Sequence, residues 1–163
     1  MISIEQVIQK AIAYDKGDAR RIHHFLKVYA YADIIGRLEG LPAKRLAILQ
    51  TAAVLHDIGI HKAEEKYGSS SGHFQEIEGP APARAILEEL GAAEDFIERV
   101  TFLIAHHHTY SGVDGVDYQI LLEADFLVNA YEDQLKPEAI RTFKEKVFRT
   151  QTGLELLKYT YGV

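Results

Sequence analysis

The stretch Ala52-Ala-Val-Leu-His-Asp-Ile-Gly-Ile60 decides how this chain is read. Leu46, Ile48, Leu49, Ala52, Ala53 and Leu55 lead into it at helical spacing, with Pro42 in the first turn and Gly59 as a stop. A helix that apolar belongs in a core. It nevertheless ends in two adjacent polar residues, His56 and Asp57. Burying an imidazole and a carboxylate is costly unless something pairs with them. A divalent cation satisfies both, and the negative end of the helix dipole favours it there. A His-Asp doublet is by itself a weak motif, so the rest of the chain has to carry the reading.

Three further features do so. Ile120-Leu-Leu-Glu-Ala-Asp-Phe-Leu-Val128 is apolar almost all round, which places Asp125 in the interior. Buried aspartates are rare unless paired, so Asp125 is either a metal ligand or the partner of an arginine or a helix end. His24 heads a stripe formed with Val28, Tyr31, Ile35 and Leu38, while His23 is turned about 100° away. The run His106-His107-His108 spans about 200° of a helix, so its three rings do not easily meet one ion. His107 shares a register with Val100 and Ile104 and is the first choice to point inward, ahead of His106 and His108. The remaining histidines are His61 and His73.

The rest of the pattern is helical. Ser3-Ile-Glu-Gln6 reads as a capping box that opens a helix to about Tyr14. A long helix follows from Ala19 to about Glu39, and then the helix that ends in the doublet. Gly59 to Phe74, polar and rich in glycine and serine, reads as a loop over the site. Further helices are expected over Ala81–Leu90, Ala92–His108, Tyr118–Tyr131 with Asp117 as cap, and Lys136 to about Thr150. Gln151-Thr-Gly153 reads as a breaker before a short last helix, Leu154–Tyr161. No alternating strand pattern appears. The expectation is an all-α, single-domain bundle of about seven helices over residues 1–163, with its metal-binding core at about 20–130 and C-terminal helices at 136–161. Phe143, Val147, Phe148, Leu154, Leu156 and Leu157 in those last helices either cap the core or pair with a second copy, so a homodimer is one expectation.

Bulk properties exclude several classes. A length of 163 residues, with 47% hydrophobic and 26% charged residues, suits one soluble domain with a full core. The net charge of −6 argues against a nucleic-acid polymer as partner. There are no cysteines, which removes thiolate catalysis and cysteine-type zinc sites. No run approaches the roughly 20 apolar residues of a membrane span, and no signal peptide is evident, so the expected location is cytoplasmic. His24, His56, Asp57 and Asp125 come from three helices of one core. Imidazole with carboxylate suits Mn, Fe, Co, Ni or Zn, with Mg where nitrogen ligation is limited.

The order His24 … His56-Asp57 … Asp125 resembles the HD-domain superfamily of metal-dependent phosphohydrolases. The resemblance extends to His24-Phe-Leu-Lys-Val28, Ala53-Val-Leu-His-Asp-Ile-Gly59 and Leu122-Glu-Ala-Asp125-Phe126, and covers about residues 20–130. It implies an all-α bundle in which these four residues hold one divalent metal. It also implies a second metal in many members, bridged by the doublet aspartate, a role for which His106, His107 and His108 are available. Thr109-Tyr-Ser-Gly-Val-Asp-Gly115 stands where the cyclic-dinucleotide branch carries Gly-Tyr-Pro, which disfavours that substrate. That branch also has a histidine just before the glycine matched by Gly79. Here the nearby donors are His73, Glu76 and Glu78.

The implied activity is hydrolysis of a small phosphoester, with a nucleotide as one candidate, by metal-activated water, with one or two divalent ions per chain. Asp57 is the expected bridge or water orienter. Lys62 is the expected phosphate-binding residue at the mouth, with Arg84 and Tyr110 as weaker candidates. The rival readings are a di-iron oxygenase of the same superfamily and a non-catalytic metal- or nucleotide-binding sensor. Specificity is expected in the 61–75 and 109–117 segments.

Overall fold

The computed structural model describes residues 2–163. All the regular structure among them is helical: α1 (Ile4–Tyr14), α2 (Ala19–Leu38), α3 (Ala43–Leu55), α4 (Ile60–Tyr67), α5 (Gly72–Glu78), α6 (Pro80–Glu89), α7 (Glu94–His106), α8 (Val116–Glu132), α9 (Pro137–Val147) and α10 (Gln151–Tyr161). α1 starts at the capping box: Ser3 Oγ accepts from Gln6 N at 3.2 Å and Gln6 Oε1 accepts from Ser3 N at 3.4 Å.

α2, α3, α7 and α8 form the centre, with α2 and α3 packed on each other and both against α8. Val28 and Ile35 of α2, Leu49, Ala52 and Leu55 of α3, Leu103 and Ile104 of α7, and Leu121 and Leu122 of α8 are buried there. Each buried Leu or Ile contributes about 1.5–3 kcal/mol, so the helices that carry the polar residues are also the best anchored. α1 and α6 cover one side, α5 lies against α7 with α4 packed on α5, and α9 and α10 pack on α8. No helix among the described residues is long and apolar enough to cross a membrane.

The all-α reading holds, with corrections in detail. Residues 59–74 are not one loop but α4, a short link over 68–71 and the start of α5; Gly68, with φ +66°, closes α4 in the left-handed region. Leu38 leaves the stripe of α2 and is 70% exposed, because the stripe of buried residues runs instead through Phe25, Val28, Ala32 and Ile35.

Two readings at helix starts also need correction. Asp117 does not cap α8; it is the second residue of that helix and fully buried. Arg99 grips it at 2.7 and 2.9 Å, Arg45 at 3.2 Å, and the Tyr118 N–H donates to it at 2.8 Å. Gln151-Thr-Gly153 is not a breaker but the first turn of α10, capped by Thr150. Buried Glu123 holds that start, accepting from Arg149 N at 2.9 Å, Thr150 N at 3.0 Å and Thr150 Oγ1 at 2.6 Å. Gly153 is required because a Cβ there would fall 1.9 Å from Glu123 Oε1.

Candidate metal centre

Four side chains meet where α2, the end of α3 and the middle of α8 converge. His24 Nε2 lies 3.2 Å from His56 Nε2, 3.1 Å from Asp57 Oδ2 and 3.2 Å from Asp125 Oδ1. His56 Nε2 lies 3.4 Å from Asp57 Oδ2 and 3.2 Å from Asp125 Oδ1. His56 is fully buried, and only 11% of the Asp57 side chain is exposed. The position of each follows from the chain. The buried stripe of α2 puts His24 inward, the apolar run of α3 carries the doublet to its inner end, and α8 is buried all round at Asp125.

The hydrogen bonds fix which ring nitrogens face one another. His56 Nδ1–H donates to the Ala53 carbonyl at 2.6 Å, and His24 Nδ1–H donates to Glu132 Oε1 at 2.5 Å. Both rings therefore turn Nε2 toward the carboxylates, the tautomer a metal ligand needs. Glu132 is itself held by Lys27 Nζ at 2.8 Å. A carboxylate behind a ligand histidine orients the ring and raises its basicity.

A second group adjoins the first. His107 Nε2 is 3.4 Å from Asp57 Oδ1, and its Nδ1–H donates to the Ile104 carbonyl at 2.6 Å. Asp57, His107 and His108 offer ligand atoms within 4.8 Å of one another, as do His24, His56 and Asp57. Asp57 is common to both groups, one carboxylate oxygen toward each.

These residues fit a cation. Asp125 Oδ1 is buried and accepts no hydrogen bond, although both ring Nε2 atoms are 3.2 Å away. Carboxylate oxygens and imidazole lone pairs converge with no built-in donor among them, so either protons or metal ions must separate them. Burial works against charge on His24, but its contacts with Asp125 and then Asp57 outweigh that and raise its pKa to about 11. Asp57 and Asp125 are held well below the ordinary carboxylate range despite burial, with the His56 charge as the leading opposing cause.

The metal-free centre therefore carries a proton on the His24 nitrogen that an ion needs. Metal binding must displace that proton, so affinity falls as pH falls. One displaced proton corresponds to about a tenfold change in affinity per pH unit. Chelator competition at pH 6, 7 and 8 is expected to show at least that slope, and a flat profile would contradict the assignment of His24.

A cavity of about 190 Å³ opens onto both groups. Its lining includes His24, Asp57, Asp125, Gln75 and His108, with Arg20, Arg21, Asn129, Glu132 and Asp133 around them. Arg21 Nη1 reaches Asp57 Oδ2 at 3.4 Å. A larger groove of about 530 Å³ lies between residues 110–116 and 146–149, but no ligand residue lines it.

Other candidates sit elsewhere. His106 bonds the Phe102 carbonyl through Nδ1 at 2.7 Å, stacks on the Phe102 ring, and belongs to neither ligand group. Lys62 does not line the ligand cavity. α4 carries it to the surface, where it borders a separate groove with Asp15 and Asp18. Arg84 pairs with Glu88 and Glu94 on the surface. Tyr110 is half exposed, edge-on to Phe143. His73 is exposed, and Glu78 faces Lys66 and Tyr67. Glu76 accepts from His108 N at 3.2 Å and Thr109 Oγ1 at 2.8 Å, so it braces the turn after α7.

Sequence reading missed Arg20, Arg21, Gln75 and Glu132. Three of these carried a signal. Arg20 and Arg21 precede His24 by four and three residues, and Asp125, Asn129 and Glu132 share one face of α8. Gln75 carried none.

Comparison with known proteins bears on this constellation. The HD domain model matches residues 21–143, which include both ligand groups. No curated protein matches the chain. A crystal structure of a predicted HD superfamily hydrolase from an uncultured Thermotogales bacterium is similar over 98% of this chain and 83% of that one, with 26% identity and a TM-score of 0.66. The chain, with its His24, His56-Asp57 and Asp125 inside the matched region, belongs to the HD domain family.

Proposed function

We propose that this protein hydrolyses a small phosphoester, with water as nucleophile. The observation that carries the reading is the acceptor-only cluster at the floor of a small cavity whose rim holds two arginines. Arg20, Arg21 and protonated His24 face Asp57, Asp125, Glu132 and Asp133, so three cations oppose four carboxylates and the cavity without an ion repels a phosphate. Bound cations reverse that balance. His24, His56, Asp57 and Asp125 would hold one such ion, whose chemistry is to acidify water and neutralise a phosphoryl oxygen.

The chain's own residues do the rest. Glu132 keeps the His24 Nδ1–H occupied, which leaves Nε2 directed at the cavity. Asp57, between the two groups, is placed to accept a hydrogen bond from the attacking water. Arg20 and Arg21 are placed to hold the non-bridging oxygens as the P–O bond to the leaving group breaks. No serine or cysteine nucleophile lines the cavity, so a single in-line displacement by water fits better than a covalent intermediate. At about 190 Å³ the cavity is below the roughly 300 Å³ of ordinary ligand pockets. It suits a phosphoryl group and the first atoms of its ester, with the remainder outside. A nucleoside monophosphate is one substrate of that shape.

Elemental analysis of the purified protein, with phosphate release from a panel of phosphomonoesters and nucleotides across Mn²⁺, Mg²⁺, Co²⁺, Ni²⁺, Zn²⁺ and Fe²⁺, tests the reading. The expected result is metal-dependent release that chelation abolishes. Oxygen consumption by an iron-loaded protein without phosphate release would overturn it in favour of an oxygenase. Tight nucleotide binding without turnover would overturn it in favour of a sensor.

A further inference from the structure

Gln75 is 8% exposed and lies on α5, a helix the sequence does not announce. Its side-chain N–H₂ donates to the Ser70 carbonyl at 2.6 Å. That bond fixes the amide, since a flipped amide would set two oxygens against each other. Its Oε1 consequently faces the histidines, 2.7 Å from His108 Nε2 and 3.2 Å from His107 Nε2. The His107 Nδ1–H is already given to the Ile104 carbonyl, so Nε2 is the ring atom that faces both Asp57 Oδ1 and Gln75 Oε1. Two oxygens and two ring nitrogens thus meet at one point: Asp57 Oδ1, Gln75 Oε1, His107 Nε2 and His108 Nε2. The His108 ring is wedged against Gly72, where a Cβ would fall 2.7 Å from its Cγ. Gly72, Ser70 and Gln75 together set the positions of a ring and an amide oxygen around that point.

We propose that Gln75 Oε1 is a ligand of a second cation, bound with Asp57, His107 and His108, and that this neutral oxygen makes the second site weaker than the first. The first site has two imidazoles and two carboxylates. The second shares Asp57 and has no carboxylate of its own. A neutral amide oxygen contributes less attraction than a carboxylate and is a harder donor than imidazole. The two sites therefore fill in sequence.

Mn²⁺ alone is the probe, titrated calorimetrically and followed by the spectrum of free Mn²⁺. Binding is measured without substrate, so the outcome is independent of whether the protein is a phosphohydrolase. Wild type is expected to take two Mn²⁺ in resolved steps. Gln75→Ala is expected to lower the second affinity by about tenfold or more, with the first step unchanged. That first step also reports that the variant is folded. Gln75→His is expected to restore the second step and raise its Zn²⁺ affinity by about tenfold or more. Wild type with a single step at saturation, or Gln75→Ala with both steps intact, would overturn the proposal.

Discussion

Replacing Asp57 by alanine is expected to strip the protein of both cations and of phosphate release while its helical circular dichroism persists. Asp57 is the residue the two ligand groups share, so its loss removes an anion from each at once. Its contacts reach Arg21 at 3.4 Å, His24 at 3.1 Å, His56 at 3.4 Å and His107 at 3.4 Å. No single neighbour can replace a carboxylate that serves four groups.

The fold does not depend on it in the same way. With Asp57 gone, His24 still has Asp125 at 3.2 Å and Glu132 at 2.5 Å, so its proton keeps acceptors. Buried apolar residues of α2, α3 and α8 surround the doublet and are untouched. Elemental analysis, phosphate release and the circular dichroism spectrum together check the prediction. Normal turnover by this variant would falsify the proposed chemistry. Loss of helical signal would instead assign Asp57 a structural role.

Much of this candidate centre is legible in the chain because its residues break a rule. His24, His56 and Asp125 are polar residues on apolar helix faces, and each stands out against neighbours that leave no other place for it. Gln75 and Glu132 break no rule. Gln75 lies in α5, seven residues long, and α4 before it buries only Ile60 and Ala63. Helices that short, with so few buried positions, show no hydrophobic period, and the polar run Gly68–Gly72 between them looks like a loop. Their order comes from tertiary contact: Gln75 on Ser70, Glu76 on the turn after α7, and Gly72 on the His108 ring. Lys62 shows the converse error. Six residues from His56 is near in sequence, but α4 turns that position outward.

Gly59 is where those tertiary contacts are tightest, and Gly59→Ala is expected to disturb both stability and metal binding. Its φ of −80° is one any residue adopts, so the sequence reading of Gly59 as a conformational stop is not the reason glycine is there. The reason is approach. A Cβ would fall 2.5 Å from Gly79 N, 2.8 Å from Glu78 C and 2.8 Å from Gly79 Cα. All three are backbone atoms, so no side chain can swing aside, and the chain after the doublet must separate from the junction of α5 and α6. Gly79 has little room to retreat, since its own Cα side faces Ile104 Cγ2.

Overpacking of this kind costs about 1–3 kcal/mol or more, and each kcal/mol lowers Tm by about 2–4 °C in a chain of this size. The displacement also moves Asp57 relative to Gln75, so metal affinity falls with it. Gly68→Ala is the control. Gly68 has φ +66° and nothing within 4 Å of a Cβ, so its cost is conformational, about 1–2 kcal/mol. It closes α4 at the surface and touches no ligand. Thermal unfolding with Mn²⁺ titration separates the two: Gly59→Ala should lose stability and metal affinity together, and Gly68→Ala stability alone. Equal metal affinities in both variants would show that the doublet is positioned independently of the α5–α6 junction.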